Sequence, residues 1–175
     1  MKKSLLAIAA AVSVASLASA ATINWMSGIL YTPAGADGGN SSTKAKNTVT
    51  ATYFIIDASD YATLATATLA EKVAKANTLT PDATITSSST TSKANWAYSS
   101  AVTGDNYVLA VYSTTSGSTP LYIAEVASAT MGATGAPVTT SEIATGKSWA
   151  PVPEPTTVAL LALGLAAVGL KRKVA

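Results

Sequence analysis

"TVTATYFIID", Thr48–Asp57, alternates along its length. Val49, Ala51, Tyr53 and Ile55 project to one side, and Thr48, Thr50 and Thr52 to the other, before Phe54 and Ile56 close the run. β-Branched and aromatic residues at a period of two form a strand. The alternation predicts an antiparallel sheet with one face on a core.

The period changes immediately downstream. In Asp60–Asn77, "DYATLATATLAEKVAKAN", Tyr61, Leu64, Ala65, Leu69, Val73 and Ala76 fall on one side at helical spacing. Asp60 is placed to cap this helix, Glu71 and Lys75 form an i,i+4 pair, and Asn77 and Pro81 stop it. Lys72 falls inside the apolar arc, so its stem must snorkel. Upstream, "ATINWMSGILY" (Ala21–Tyr31) reads as a strand with a bulge at Gly28, and the Pro-, Gly- and Asn-rich 32–47 as a loop. Downstream, Thr86–Asn95 is a polar loop, and "WAYSSAV", "NYVLAVYST" and "LYIAEVAS" are three more strands. "TTSGSTP" (Thr114–Pro120) turns the last two into a hairpin. The expected fold class is mainly β (α+β): an antiparallel sheet with one amphipathic helix on one face. The alternative is a small sandwich in which the helix crosses between sheets.

Composition limits the chemistry. The 175 residues contain neither cysteine nor histidine, which removes thiol chemistry, disulfides, and the commonest general base and metal ligand. Between residues 21 and 150, six lysines stand against eight carboxylates, so the overall charge of +2 comes from the two ends. With no basic patch, nucleic acid is not an expected partner. No cofactor or metal is expected.

Several short stretches suggest chemistry and fall short of it. "ATGKS" (Ala144–Ser148) lacks the first glycine of a phosphate-binding loop, because Ser141 stands in its place. "SSTK" (Ser41–Lys44) has the spacing of a serine nucleophile and lysine base but none of the partner motifs. In "DASD", Asp57 and Asp60 offer two carboxylates for glycoside hydrolysis or a cation, yet Asp57 ends a strand and Asp60 begins a helix. "DGGN" (Asp37–Asn40) is a turn. Trp25, Tyr53, Trp96, Tyr98, Tyr107, Tyr112 and Tyr122 are either core residues or a sugar-stacking platform, and strand aromatics favour the core.

Both ends are targeting segments. Lys2 and Lys3 precede an apolar stretch over Leu5–Leu17, and Ala18 and Ala20 frame an A-x-A site that predicts cleavage before Ala21. At the other end, Val158–Leu170 is free of charged side chains, and Lys171, Arg172 and Lys173 follow it. As a helix, 156–170 would reach about 22 Å. That spans a hydrocarbon core of about 30 Å only with snorkelling cations and local thinning. Just before it, Pro153 and Pro155 flank Glu154 and exclude a helix interior.

This C-terminal arrangement resembles the PEP-CTERM sorting signal of exported bacterial proteins. The resemblance covers about the last 25 residues. It implies that Pro153, Glu154 and Pro155 are recognition residues, that 156–170 is a membrane helix, and that Lys171, Arg172 and Lys173 are the stop signal. It further implies export through the inner membrane of a Gram-negative bacterium and transient anchoring there. Processing would follow by exosortase, a multi-spanning enzyme resembling a cysteine transpeptidase, with delivery to the cell surface or the extracellular matrix. The expected organisation is a signal peptide (1–20), a mainly β domain (21–128), a flexible spacer (129–150) and the sorting signal (151–175). The expected function is that of a non-enzymatic exported protein, in contact with extracellular polysaccharide. The alternative is a secreted carbohydrate-binding or glycoside-hydrolysing domain.

Overall fold

The computed structural model describes residues 21–100, 103–132 and 136–152. The signal segment with Ala18 and Ala20, the triplet Pro153–Pro155, the apolar run 156–170 and the cluster Lys171–Lys173 lie outside the described residues. Among the described residues no helix is long and apolar enough to cross a membrane.

In chain order the first elements are β1 (Ala21–Trp25), β2 (Tyr31–Pro33), β3 (Asn40–Lys44) and β4 (Thr50–Ile56). The helices α1 (Ala58–Leu64) and α2 (Leu69–Ala76) follow, then β5 (Ala83–Thr86) and β6 (Trp96–Ser100). The long strands β7 (Gly104–Ser116) and β8 (Thr119–Met131) come next, and β9 (Val138–Thr139) and β10 (Ala150–Pro151) end the fold. A five-stranded antiparallel sheet runs β10-β8-β7-β4-β5. A smaller sheet, β6-β1-β9, pairs β1 antiparallel with β6 and parallel with β9. The third sheet is the hairpin β2-β3.

The fold is mainly β with antiparallel sheets, and it joins features of both expected architectures. Both faces of the large sheet are covered, which corrects the one-sided reading of Thr48–Asp57. Val49, Ala51 and Tyr53 enter one core with Ile23 and Trp25 of the β1 sheet. Phe54 and Ile56 enter a second core with Leu64, Val73 and Ala76 of the helices. The central strand shows why: Val108, Leu109, Ala110, Val111 and Tyr112 are consecutive and all buried. A continuous apolar run has no face left for water. The helices link β4 to β5, neighbours in one sheet, so they are not a crossover between sheets.

The single expected helix is two. Thr68 and Glu71 form a reciprocal capping box that starts α2, and Ala65–Thr68 breaks the helical run. Asp57, not Asp60, caps α1: its carboxylate accepts from the Asp60 backbone N–H at 2.7 Å. Because Glu71 is committed to its own cap, Lys75 pairs instead with Asp60 of α1 at 2.7 Å. Lys72 does not snorkel into water. Its buried ammonium meets Glu125 of β8 at 3.0 Å, which provides the partner a buried charge requires.

Three further stretches depart from the sequence reading. The first strand stops at Trp25, and Gly28, at φ +79, lies in an irregular segment rather than a bulge. The loop 32–47 contains the β2-β3 hairpin. The described part of the stretch read as a spacer is folded: Ala129 and Met131 belong to the first core, β9 joins β1, and Ile143, Ala144 and Trp149 are buried.

The caps give the helices an acid dependence. The Asp60 and Ser59 hydrogen bonds hold the Asp57 carboxyl below its ordinary range, and the Thr68 backbone and hydroxyl do the same for Glu71. A carboxyl depressed in the folded state adds stability above its unfolded pKa and loses it as pH falls through the folded value. Circular dichroism melts should therefore show helix stability declining below about pH 4. Replacing both residues with alanine should lower stability at neutral pH and flatten that acid dependence; an unchanged acid slope would contradict the capping role.

Candidate functional site

The residues between β9 and the end of the described chain form a strap that carries the fold to residue 152. Its start is held by main-chain bonds: the Thr140 N–H donates to the Asn24 carbonyl, Ile143 to Met26 and Ala144 to Ser27. Glu142 accepts from Lys93 and from the Thr145 hydroxyl, and these contacts lower its carboxyl from the ordinary range. Lys147 then meets Glu125 at 3.0 Å, on the carboxylate oxygen that Lys72 leaves free. Glu125 thus ties the helix layer and the strap to the same strand.

Trp149 is the plug. It is 2 % exposed, and its indole N–H donates to the Tyr31 carbonyl at 2.7 Å. Its own carbonyl accepts from the Gly39 N–H at 2.8 Å. Gly38, at φ +95, lies so close that a Cβ there would overlap the Trp149 carbonyl. On the other side, a Cβ on Gly28 would overlap the Thr145 hydroxyl. Two bare backbone positions therefore make room for the strap. After Trp149, Ala150 and Pro151 pair with Tyr122 and Leu121 at the edge of the large sheet, and Val152 packs against the helix-side core. Proline is tolerated there because an edge strand need not donate outward.

The strap is flanked by open space. A cavity of about 360 Å³ lies between it and the β2-β3 hairpin, lined by Leu30, Asn40, Ser41, Thr145 and Lys147 among others. A second, of about 280 Å³, separates Lys147, Ser148 and Ala150 from Leu69 and Lys72 of α2.

The other candidate residues have structural partners. Asp57 and Asp60 serve the start of α1 and the Lys75 pair. Ser41 lies in β3 with its hydroxyl on Thr32 at 2.5 Å, and Lys44 is exposed. The turn containing "ATGKS" directs Lys147 to Glu125. Asp37 is exposed in its turn. Trp25, Tyr53 and Tyr112 are fully buried, and Trp96 and Tyr98 stack in series on Tyr53 at the core margin. Tyr107 stacks on Tyr61 of α1, and Tyr122 packs beneath the helices. Among the described residues no group of three acidic residues is gathered as a metal site would require.

The model of the PEP-CTERM protein-sorting motif matches residues 151–173. The chain carries a PEP-CTERM sorting signal. The match begins at Pro151, the last residue of β10, so Pro151 and Val152 belong to fold and signal together. Such a signal implies an exported protein with exosortase as its processing partner. Comparison with curated proteins and with solved structures found no match. Of the residues that hold the strap, Gly28, Gly38 and Lys147 read in the sequence only as a bulge, a turn and an incomplete phosphate loop, and Trp149 and Glu125 had no signal there.

Two substitutions check this geometry. Trp149→Ala should destabilise the domain by about 3–5 kcal/mol in a denaturant titration. Gly38→Ala should cost about 1–3 kcal/mol through φ strain and displacement of the Trp149 carbonyl. In a spectrophotometric alkaline titration, Tyr53 and Tyr112 should ionise after the other tyrosines. Burial pushes Tyr53 up to about 12 and Tyr112 well above its ordinary value. The stability tied to their protons is complete below the ordinary tyrosine pKa and is lost as pH rises through the folded values. Loss of fold and ionisation of these two should therefore coincide.

Proposed function

We propose that this chain is an exported, non-enzymatic protein of the cell surface or extracellular matrix, sorted by exosortase through its C-terminal segment. Signal peptidase cleaves after Ala20. The run 156–170 holds the protein in the inner membrane, with Lys171, Arg172 and Lys173 on the cytoplasmic side by the positive-inside bias. Pro153, Glu154 and Pro155 are presented outside the bilayer for recognition, and processing releases the folded domain. The observation that carries this reading is the sorting-motif match at 151–173, which begins where the last strand ends.

The non-catalytic part is supported by the uses found for the polar and aromatic groups. Asp57 caps a helix, Asp60 and Glu125 hold lysines, and the largest aromatics fill the core. Contact with polysaccharide would then fall to the Ser- and Thr-rich exposed surface rather than to an aromatic platform.

Intact mass spectrometry tests the sorting reading directly. Released protein should lack residues 1–20 and the segment from Val158 onward. Replacing Pro153, Glu154 and Pro155 with alanine should leave the domain in the inner-membrane fraction at full mass. Release at the wild-type rate would overturn the recognition role of the triplet.

A further inference from the structure

We propose that the groove beside Lys147 is a binding site for a sugar acid: Lys147, backed by Lys72, receives the carboxylate, and the cavity on the hairpin side of Lys147 receives the hydroxylated ring. This inference concerns the folded domain alone and does not depend on the sorting route.

The first argument is charge. One Glu125 carboxylate serves two lysines, with Lys72 3.0 Å from one oxygen and Lys147 3.0 Å from the other. A single anion between two ammonium groups leaves one positive charge over. All three side chains line the cavity of about 280 Å³, whose other walls include Leu69, Ile123 and Ala124. A concave site with apolar walls concentrates such a field. The next charged groups along the strap, Glu142 and Lys93, offset one another at 3.0 Å. The excess is local. Between residues 21 and 150, Lys72, Lys93 and Lys147 meet two glutamates here, while Lys44, Lys46 and Lys75 stand against the six other carboxylates. An anion is therefore drawn to this place and repelled by the rest of the domain. The Lys147 side chain is 47 % exposed and that of Lys72 9 %, so Lys147 is the ammonium a ligand can touch. A charge-assisted hydrogen bond to a carboxylate is the strong contact available there.

The second argument is the lining. The cavity of about 360 Å³ shares Ile123 and Lys147 with the smaller one. Its walls mix Leu30 and Ile123 with the Asn40 amide and the Thr145 hydroxyl. A sugar ring has the same mixture, with apolar C–H faces inside a rim of hydroxyls. In a sugar acid the carboxylate is attached directly to that body, so one molecule reaches both sides of Lys147. Small-ligand sites are concave, mostly apolar and furnished with a few placed polar groups.

The third argument is preorganisation. The Lys147 N–H donates to the Ala144 carbonyl at 3.1 Å, and the Lys147 carbonyl accepts from Asn40 Nδ2 at 2.8 Å. Lys72 is fixed by the capped helix α2 and Glu125 by the long strand β8. A ligand then meets groups already in place, which lowers the entropic cost of binding.

The test is an NMR titration of the isotope-labelled full chain, held in a neutral detergent, with four probes: glucuronate, glucose, acetate and inorganic phosphate. Glucuronate should give saturable shifts at Ile123, Thr145, Lys147 and Ser148, with a Kd at least about tenfold below that of each other probe. Lys147→Gln should weaken glucuronate about tenfold. Ser148 is exposed and lines the smaller cavity, so its replacement leaves the core intact. Ser148→Glu should weaken glucuronate and Ser148→Lys should tighten it, a gain that misfolding cannot imitate. Absence of saturable glucuronate shifts up to about 10 mM would overturn the site. Glucose binding as tightly would overturn the role of the lysines, and acetate or phosphate binding as tightly would overturn the ring contact. An affinity for glucuronate indifferent to both Ser148 variants and to Lys147→Gln would place its binding elsewhere and overturn the proposal.

Discussion

The rest of the molecule depends on burial of β7, and with it β4 and β8, on both faces. Five consecutive residues of β7 are sequestered, so neither side of the large sheet tolerates water. Each side is covered by a different device. On one, two short helices are capped by carboxylates and tied down through Lys72 and Lys75. On the other, the small β6-β1-β9 sheet supplies Ile23 and Trp25 but does not complete the cover. Ile143, Ala144 and Trp149 fill the remainder. The strap is therefore part of the core rather than an appendage, and the fold extends to the first residues of the sorting signal.

That dependence separates what was legible in the sequence from what was not. β4, β7 and β8 were readable because their apolar patterns are long, and β7 and β8 are joined by a short turn. The hairpin turn at Gly117 follows from local chemistry alone, with φ +63 at that glycine. The split of the helix was written in Thr68 and Glu71, three apart in a capping-box pattern, but a helical period running across both halves masks such a break. Coverage of both faces was harder to read. Thr50 and Thr52 look like a solvent face, yet threonine packs well on a half-buried sheet. β9 and β10 have two residues each, and no periodicity exists at that length.

The functional end of the molecule divides in the same way. The sorting signal is a linear motif, readable from consecutive residues alone. The strap is not linear. Trp149 bonds to the Tyr31 carbonyl 118 residues away, and Asn40 reaches the Lys147 carbonyl across 107. Main-chain acceptors carry no residue signature, so nothing near Tyr31 announces the indole. Gly38 is informative only afterwards: glycine in "DGGN" signals a turn, and the same absence of a side chain also admits the Trp149 carbonyl.

Overlap of fold and signal at Pro151 and Val152 gives these residues two sets of constraints. For the sheet, proline at the end of an edge strand is acceptable, since the N–H it lacks need not point at a neighbour. Proline at this position also resists helix formation at the start of the sorting match. Val152 packs on the helix-side core and lies within the sorting-motif match. A flexible spacer at 129–150 would have separated these roles and let the domain diverge freely from its tail. The packed strap couples them: a substitution that loosens Trp149 or Glu125 changes the stability of the domain and the hold on Pro151 and Val152 together.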